Sequence, residues 1–146
     1  MQTRKLDNDS FMNVALEIFS TSDLEPLAEA FGSKVQAFYL GMEFGLFKAY
    51  FYPGWQRKTP ESGILRYCKL VKKLPPSKRK IWNAAKSRSF DIGIKAPGKG
   101  RYYWSAVGQE AVRAAAEVGA QIAITVYGPM KVVKRSRKTT KAASSK

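Results

Sequence analysis

Residues 34–52, KVQAFYLGMEFGLFKAYFY, contain two apolar and aromatic runs joined by a short connection that glycines bound. The first run covers residues 34–40, the chain turns at residues 41–45, and the second run covers residues 46–52. Two runs of strand-forming residues separated by a short glycine-containing connection are typical of a β-hairpin. The stretch therefore predicts two antiparallel strands, around which the rest of the chain must be arranged.

Hydrophobic periodicity and capping residues predict the other elements on both sides of the hairpin. Strand alternation occurs in residues 12–20, 90–95 and 121–127, and helical spacing occurs in residues 24–31, 59–74, 77–86 and 108–118. Thr59 is the expected cap of the second helix, since Pro60 and an acidic residue follow it. We also expect Met12 and Val112 to face the interior and Trp104 to lie in the core.

The predicted element order is β-α-β-β-α-α-β-α-β. A hairpin beside strands that are joined by helices implies an α+β fold: a mixed, largely antiparallel sheet of about five strands, with helices mainly on one face. We predict one domain at residues 11–129, an N-terminal extension at residues 1–10 and a disordered basic tail at residues 130–146. From residue 131 the tail has seven cations and no acidic residue. A segment of this composition has few apolar side chains to bury, which is typical of disorder.

In residues 16–27, LEIFSTSDLEPL, a strand runs into an Asp-Leu-Glu-Pro helix start; residues 90–94, FDIGI, are a later predicted strand, and residues 109–112 and 117–127 belong to the last predicted helix and strand. These four segments resemble the first strand and helix, the penultimate strand, and the last helix and strand of a bacterial family of small uncharacterised domains, a domain of unknown function. Gly108 replaces the Ser-Pro start expected for that helix, and the basic tail is extra. The resemblance covers about residues 12–128 and implies a compact α+β domain from a bacterium, without an established activity.

The chain contains no histidine and only one cysteine, Cys68. Histidine is the commonest general base and the commonest metal ligand, so we predict that the protein is not an enzyme and has no cofactor and no metal site. Cys68 falls on the apolar side of its helix and is expected to be buried. A polar N-terminus, a single cysteine and no run of about 20 apolar residues together predict a cytoplasmic protein that does not bind membranes.

Positive charge is concentrated in the second half of the chain. Residues 1–61 carry a net charge of −2 and residues 62–146 a net charge of +17, which suggests an anionic partner. Residues 66–88 contain nine cations and no acidic residue, and like charges one helical turn apart destabilise a helix unless a ligand offsets them. The segment therefore predicts a polyanion-binding surface, with an ordinary solvated face as the alternative. Its candidate residues are Arg66, Lys69, Lys72, Lys73, Lys78, Arg79, Lys80 and, further along the chain, Arg101.

Three function classes follow. The first is a non-enzymatic binding or interaction protein whose basic surface takes an anionic partner, either a protein or a nucleic acid. The second is a nucleic-acid-binding protein proper, in which Tyr102 and Tyr103 stack on bases beside Arg101 and the tail contacts phosphates. The third is an enzyme of unfamiliar type. Two features belong with these alternatives: the loop at residues 98–101, GKGR, could cradle a phosphate, and Glu17 and Asp91 could form a carboxylate pair if their strands are neighbours.

Overall fold

The structure is a computed structural model that describes residues 4–56 and 58–129. The tail predicted at residues 130–146 and the first three residues of the predicted extension lie outside the described residues. The strands are β1 (Lys5–Leu6), β2 (Phe11–Ser20), β3 (Val35–Glu43), β4 (Leu46–Pro53), β5 (Ser87–Lys95), β6 (Arg101–Tyr102) and β7 (Gln121–Tyr127). The helices are α1 (Glu25–Phe31), α2 (Pro60–Lys72), α3 (Pro76–Ala84) and α4 (Gln109–Glu117).

The main sheet has the strand order β3-β4-β2-β5-β7. The first three pairings are antiparallel and the β5–β7 pairing is parallel, so the predicted mixed, largely antiparallel sheet is confirmed. Two short strands from outside this sheet, β1 and β6, pair with each other in parallel. The segment predicted as an N-terminal extension thus contains a strand that pairs with the chain near residue 101.

The hairpin turn is tighter than the sequence predicts. β3 continues through Glu43, and only Phe44 and Gly45 turn the chain, with φ angles of 54° and 75°. Two consecutive residues with positive φ match the twist of the flanking strands, which is why hairpins favour this turn. Placing the turn at residues 41–45 was wrong because Gly41 remains in the strand.

One face of the sheet carries the core. Alternate residues of the central strands point to this face, where the helices pack their buried residues into the same hydrophobic cluster; the strand members include Val14, Leu16, Ile18, Ala49, Phe51, Phe90 and Ile92. Helix α2 packs closely on the sheet at Gly63, where an added Cβ would lie 2.9 Å from Cγ2 of Val14. The hydroxyl of Tyr67 on the same helix donates a hydrogen bond of 2.9 Å to the carbonyl oxygen of Val14.

The beginning of α2 matches its prediction. Thr59 accepts a hydrogen bond from the backbone N–H of Ser62 at 3.1 Å, and the Ser62 hydroxyl accepts one from the N–H of Thr59 at 3.2 Å. These reciprocal bonds satisfy two N–H groups that have no partner within the helix. Pro60 lies in the first turn, where its missing N–H costs little.

Two expectations about inward-facing residues were wrong. The pairing of β2 with β5 shifts register between Phe11 and Asn13, and this irregularity puts Phe11 in the core and leaves Met12 exposed. In α4 the buried side is formed by Ala111 and Ala115, whereas Val112 is exposed. The polar residues Gln109, Glu110, Arg113 and Glu117 lie on the opposite side of α4, so its apolar side is centred on Ala111 and Ala115, and Val112 lies at the border.

Candidate anion-binding surface

Three cations form a stripe on the outer side of α2: Arg66, Lys69 and Lys73, the last at the helix C-cap. They are spaced three and four residues apart, which places them on one side of a helix. The opposite side of α2 is buried in the core, so the stripe points to solvent; the buried residues there are Pro60, Gly63, Ile64, Tyr67, Cys68 and Val71. Among the described residues, none of the three cations forms an ion pair with a carboxylate.

Arg66 is positioned by an aromatic neighbour. Its guanidinium lies 4.9 Å from the centroid of the Trp55 ring, within the range of a cation–π contact. This contact leaves the N–H groups of the guanidinium free to donate to an anion. We call Arg66, Lys69 and Lys73 the α2 stripe.

Lys72 differs from the α2 stripe because it has a carboxylate partner. It points toward α4, where its Nζ lies 3.5 Å from Oε2 of Glu117, and both side chains are more than half exposed. An exposed pair of this kind contributes at most about 1 kcal/mol, but it offsets the charge that Lys72 would offer to a ligand. The ion pair therefore distinguishes Lys72 from the α2 stripe, although Lys69 lines the same groove between α2 and α4.

The groove between α2 and α4 contains the only cysteine of the chain. Cys68 lines this groove of about 210 Å³, but its side chain is 2 % exposed, as the sequence predicted. Burial raises the pKa of the thiol to about 11, so the sulfur is protonated at neutral pH. A buried thiol in this state is a poor nucleophile.

The three consecutive cations of α3 do not share one face. Successive helical residues are about 100° apart around the axis, so Lys78, Arg79 and Lys80 point in three directions. Arg79 turns back onto the protein: its Nε donates to Oδ1 of Asn83 at 3.2 Å, and its Nη1 donates to the carbonyl oxygen of Val71 at 3.4 Å. Lys78 is half-buried, and Lys80 points to solvent.

Arg88, the last cation of the basic segment, has a structural role. Its Nε donates to the carbonyl oxygen of Gly119 at 2.8 Å, and its Nη1 donates to the carbonyl oxygens of Trp82 and Ala85 at 2.8 and 3.0 Å. These acceptors lie at the C-terminal ends of α3 and α4, so one side chain joins the two helix ends. Burial lowers the pKa of the guanidinium.

Arg101 lies far from α3. The two sites are separated by the length of β5, which follows α3 and ends at Lys95 before the loop that leads to Arg101. Eight residue steps along a strand span about 26 Å. Arg101 is exposed, but the structure does not bring it together with the α3 cations.

The glycine-rich loop before Arg101 already holds an anionic group. Oδ2 of Asp7 accepts a hydrogen bond of 3.1 Å from the N–H of Gly98, and Oδ1 accepts one from the N–H of Asp9 at 3.1 Å. The hydrogen bond from Gly98 is the main reason why the pKa of Asp7 is lowered. The carboxylate thus takes the amide that the phosphate-cradle hypothesis would offer to a ligand.

The aromatic cluster after Arg101 alternates between solvent and core. Tyr102 and Trp104 are 43 % and 69 % exposed, whereas Tyr103 is half-buried and packs against the core. The expectation that Trp104 lies in the core was wrong, because successive residues of an extended chain point to opposite sides. Of the two predicted stacking residues, Tyr102 is the one whose ring is exposed.

Sequence reasoning missed an aromatic row on the face of the main sheet opposite the core. Phe38, Tyr50 and Tyr52 contact one another with ring centroids 5.0–6.4 Å apart. The alternation in β4, where Ala49 and Phe51 face the core, is the signal that would have placed the tyrosines on this face. Burial raises the pKa of Tyr50, so its phenol is neutral at physiological pH.

The two carboxylates considered for catalysis also lie on this face, on neighbouring strands. Ala15 is paired with Asp91 and Glu17 with Ser89, so the carboxylates are diagonal neighbours. Each already has a partner: the Thr125 hydroxyl donates to the Asp91 carboxylate, with Oγ1 at 2.9 Å from both carboxylate oxygens, and Oε2 of Glu17 lies 3.9 Å from Nζ of Lys48. The condition that the strands be neighbours is met.

Residues 4–56 and 58–129 contain no group of three or more histidine, cysteine or acidic side chains that could hold a metal ion. In the same part of the chain, no helix combines the length and the apolar character needed to cross a membrane. No protein-family model, no curated protein and no solved structure matches the chain.

Proposed function

We propose that the protein is a non-enzymatic binding protein of the cytoplasm whose anionic partner docks on the α2 stripe. The observation that carries the proposal is the exposure of Arg66, Lys69 and Lys73 on one side of a helix, without a carboxylate partner among the described residues. Cations arranged in this way attract a polymer of negative charge and release its counterions. Lys80 and the seven cations from residue 131 onward add to the positive potential.

The charge distribution supports the α2 stripe over the other candidate cations. Arg79 and Arg88 donate to backbone carbonyl groups, and Lys72 is paired with Glu117. A ligand would have to replace these contacts before it could bind those side chains. Each contact that is lost makes the free energy of binding less favourable. The α2 stripe can bind an anion without losing a contact to a carboxylate.

The test measures binding of full-length protein to heparin and to a mixed-sequence single-stranded DNA oligonucleotide at several salt concentrations. The stripe variant combines Arg66→Gln, Lys69→Gln and Lys73→Gln, and the control combines Lys5→Gln, Lys95→Gln and Lys99→Gln, which removes the same charge elsewhere. We expect the slope of log affinity against log salt to fall by about 2 for the stripe variant with DNA, because each lost phosphate contact removes about 0.7. An equal or larger fall in the control would contradict the proposal.

Nucleic-acid binding proper is the second candidate, and the exposure of Tyr102 and Trp104 beside Arg101 favours it. Stacking of a base on an aromatic ring contributes roughly 1–3 kcal/mol, whereas heparin has no bases to stack. Tyr102→Ala with Trp104→Ala should therefore weaken binding to the oligonucleotide and leave heparin binding unchanged. If the variant binds each probe with the same affinity as the parent protein, base stacking plays no part and the partner is a general polyanion.

A further inference from the structure

β7 forms one edge of the main sheet, since β5 is its only strand neighbour within the described residues. Edge strands usually carry a charge, a proline or an irregularity that prevents pairing with another chain. The seven residues Gln121–Tyr127 contain none of these, and their pairing with β5 runs without a register shift. The opposite edge, β3, is irregular between Ala37 and Tyr39. β7 is therefore the unprotected edge.

The exposed side chains of β7 on the core side of the sheet are apolar. Ile124 and Val126 are 64 % and 61 % exposed, and Ile124 borders an apolar groove whose other members include Ile92, Ile94 and Trp104. α4 leaves these residues uncovered, so the hydrophobic layer of the protein continues to the edge of the sheet. A second strand at this edge would extend that layer.

The backbone groups of β7 that lack a partner in the sheet can be identified from one hydrogen bond. The carbonyl oxygen of Tyr127 accepts a hydrogen bond of 2.8 Å from the N–H of Ala96, so the backbone groups of residue 127 face β5. Backbone groups alternate between the two sides along a strand. The N–H and C=O groups of Ile122, Ile124 and Val126 therefore point away from the sheet, toward a chain that would add at this edge.

We propose that β7 pairs with β7 of a second copy of the chain, antiparallel and centred on Ile124. In this register Ile124 faces its own copy, Ile122 faces Val126, and the outward groups of these residues form about six hydrogen bonds. On the other face Ala123 meets Thr125, and Gln121 meets Tyr127. The strand is thus complementary to itself about a two-fold axis, as a symmetric dimer requires.

No charge on β7 opposes a second copy at this edge, and no cation there attracts an anionic partner. The whole chain carries a formal net charge of +15, so two copies repel each other over most of their surface, yet no charged residue lies in Gln121–Tyr127. The seam, about 24 Å long, is neutral. The inference does not depend on the proposed function, because the α2 stripe lies on a helix and takes no part in the seam.

The first test measures the mass of the full-length protein by sedimentation over a range of concentrations at moderate salt. We expect a concentration-dependent dimer and, for Ile124→Lys, a dissociation constant about tenfold higher or more, since two like charges then meet at the two-fold axis. Leu40→Lys on the β3 edge is the matched control and should still dimerise. A parent protein that stays monomeric, or a control that dissociates while Ile124→Lys does not, would overturn the proposal.

The second test fixes the register. In Ile124→Cys the two introduced cysteines face each other with Cα atoms about 5.5 Å apart, which suits a disulfide. In Val126→Cys the same atoms are about 14 Å apart and cannot be bridged. We therefore expect a cross-linked dimer under oxidising conditions for Ile124→Cys only, with buried Cys68 unreactive. Cross-linking of Val126→Cys contradicts this pairing. Cross-linking of neither variant also contradicts it, and this is the result expected if a strand of another protein occupies the edge.

Discussion

The indole Nε1 of Trp82 donates a hydrogen bond of 2.7 Å to the carbonyl oxygen of Val118. Both residues are buried, and Val118 is the C-cap of α4, whereas Trp82 belongs to α3. Two helices that are distant in sequence are therefore joined by one polar contact inside the core. Removing the donor leaves a buried carbonyl group without its partner.

Trp82→Phe should lower the free energy of unfolding by about 1–3 kcal/mol, because the carbonyl of Val118 stays buried and unsatisfied. Urea-induced unfolding followed by circular dichroism measures the change. Trp104→Phe, at an exposed position, is the control and should change the free energy by about 0.5 kcal/mol or less. Equal effects of the two substitutions would mean that the Trp82 hydrogen bond contributes nothing.

Arg88→Lys should lower the free energy of unfolding by about 1.5–3 kcal/mol, since an ammonium group cannot reproduce the fork of donors that reaches four carbonyl groups. Chemical denaturation again provides the measurement. Arg79→Lys is the same substitution at a more peripheral site, and it should lower the free energy of unfolding by a smaller amount. If Arg79→Lys proved the more damaging of the two, Arg88 would not be the residue that joins the helix ends.

Thr59→Ala should lower the free energy of unfolding by about 1 kcal/mol, because the N–H of Ser62 loses its acceptor at the beginning of α2. Thermal unfolding detects a change of this size. Thr59→Ser retains the hydroxyl and should restore most of the stability. The interpretation fails if serine is no better than alanine at this position.

Asp7 predicts a pH dependence of stability. Its folded pKa lies below the ordinary value of 3.8, so its carboxylate stabilises the fold above about pH 4 and loses this contribution as the pH falls through the folded pKa. Asp7→Asn should therefore be less stable than the parent at neutral pH, and the two should converge as the pH falls through the folded pKa of Asp7. Unfolding curves at a series of pH values test this, with Asp9→Asn as the control. A difference that persists unchanged at the acidic end would exclude the carboxylate charge as its cause.

Glu117→Gln should strengthen binding to the single-stranded oligonucleotide, because Lys72 loses the carboxylate that now neutralises it. One additional phosphate contact raises the salt slope by about 0.7. Glu29→Gln on α1 removes the same charge away from α2 and should change affinity less. If both variants bind alike, net charge alone controls the affinity and the position of Lys72 is irrelevant.

Local signals predicted much of the fold. The cap at Thr59, the hairpin and the final strand at Gln121–Tyr127 depend on nearby residues, and the structure confirms them. The burial of Trp82 was not predicted, because Trp82 lies between Ile81 and Asn83 in a short helix and only the packing against α4 reveals which side is buried. Irregular pairing near Met12 is likewise invisible without the neighbouring strand.

The candidate surface was predictable in composition but not in arrangement. Counting cations along residues 66–88 identifies Lys72 and Lys73 equally, yet only one of them faces α4 and Glu117. That difference depends on how two helices pack, which sequence spacing does not determine. The aromatic row at Phe38, Tyr50 and Tyr52 combines two strands, so it depends on the register between β3 and β4 as well as on the alternation within each strand.

The contact of Gly63 with Val14 couples the interior to the direction in which α2 presents its charges. A methyl group at residue 63 would overlap the side chain of Val14, which is buried and branched at Cβ and cannot move aside. The first half of the helix would therefore have to move away from the sheet. Because the helix is rigid over its 13 residues, that tilt would re-aim Lys69 and Lys73 together. A substitution that changes no charge would then change the positions at which the cations contact a ligand. The absence of a side chain at Gly63 thus controls the orientation of the charged outer surface of α2.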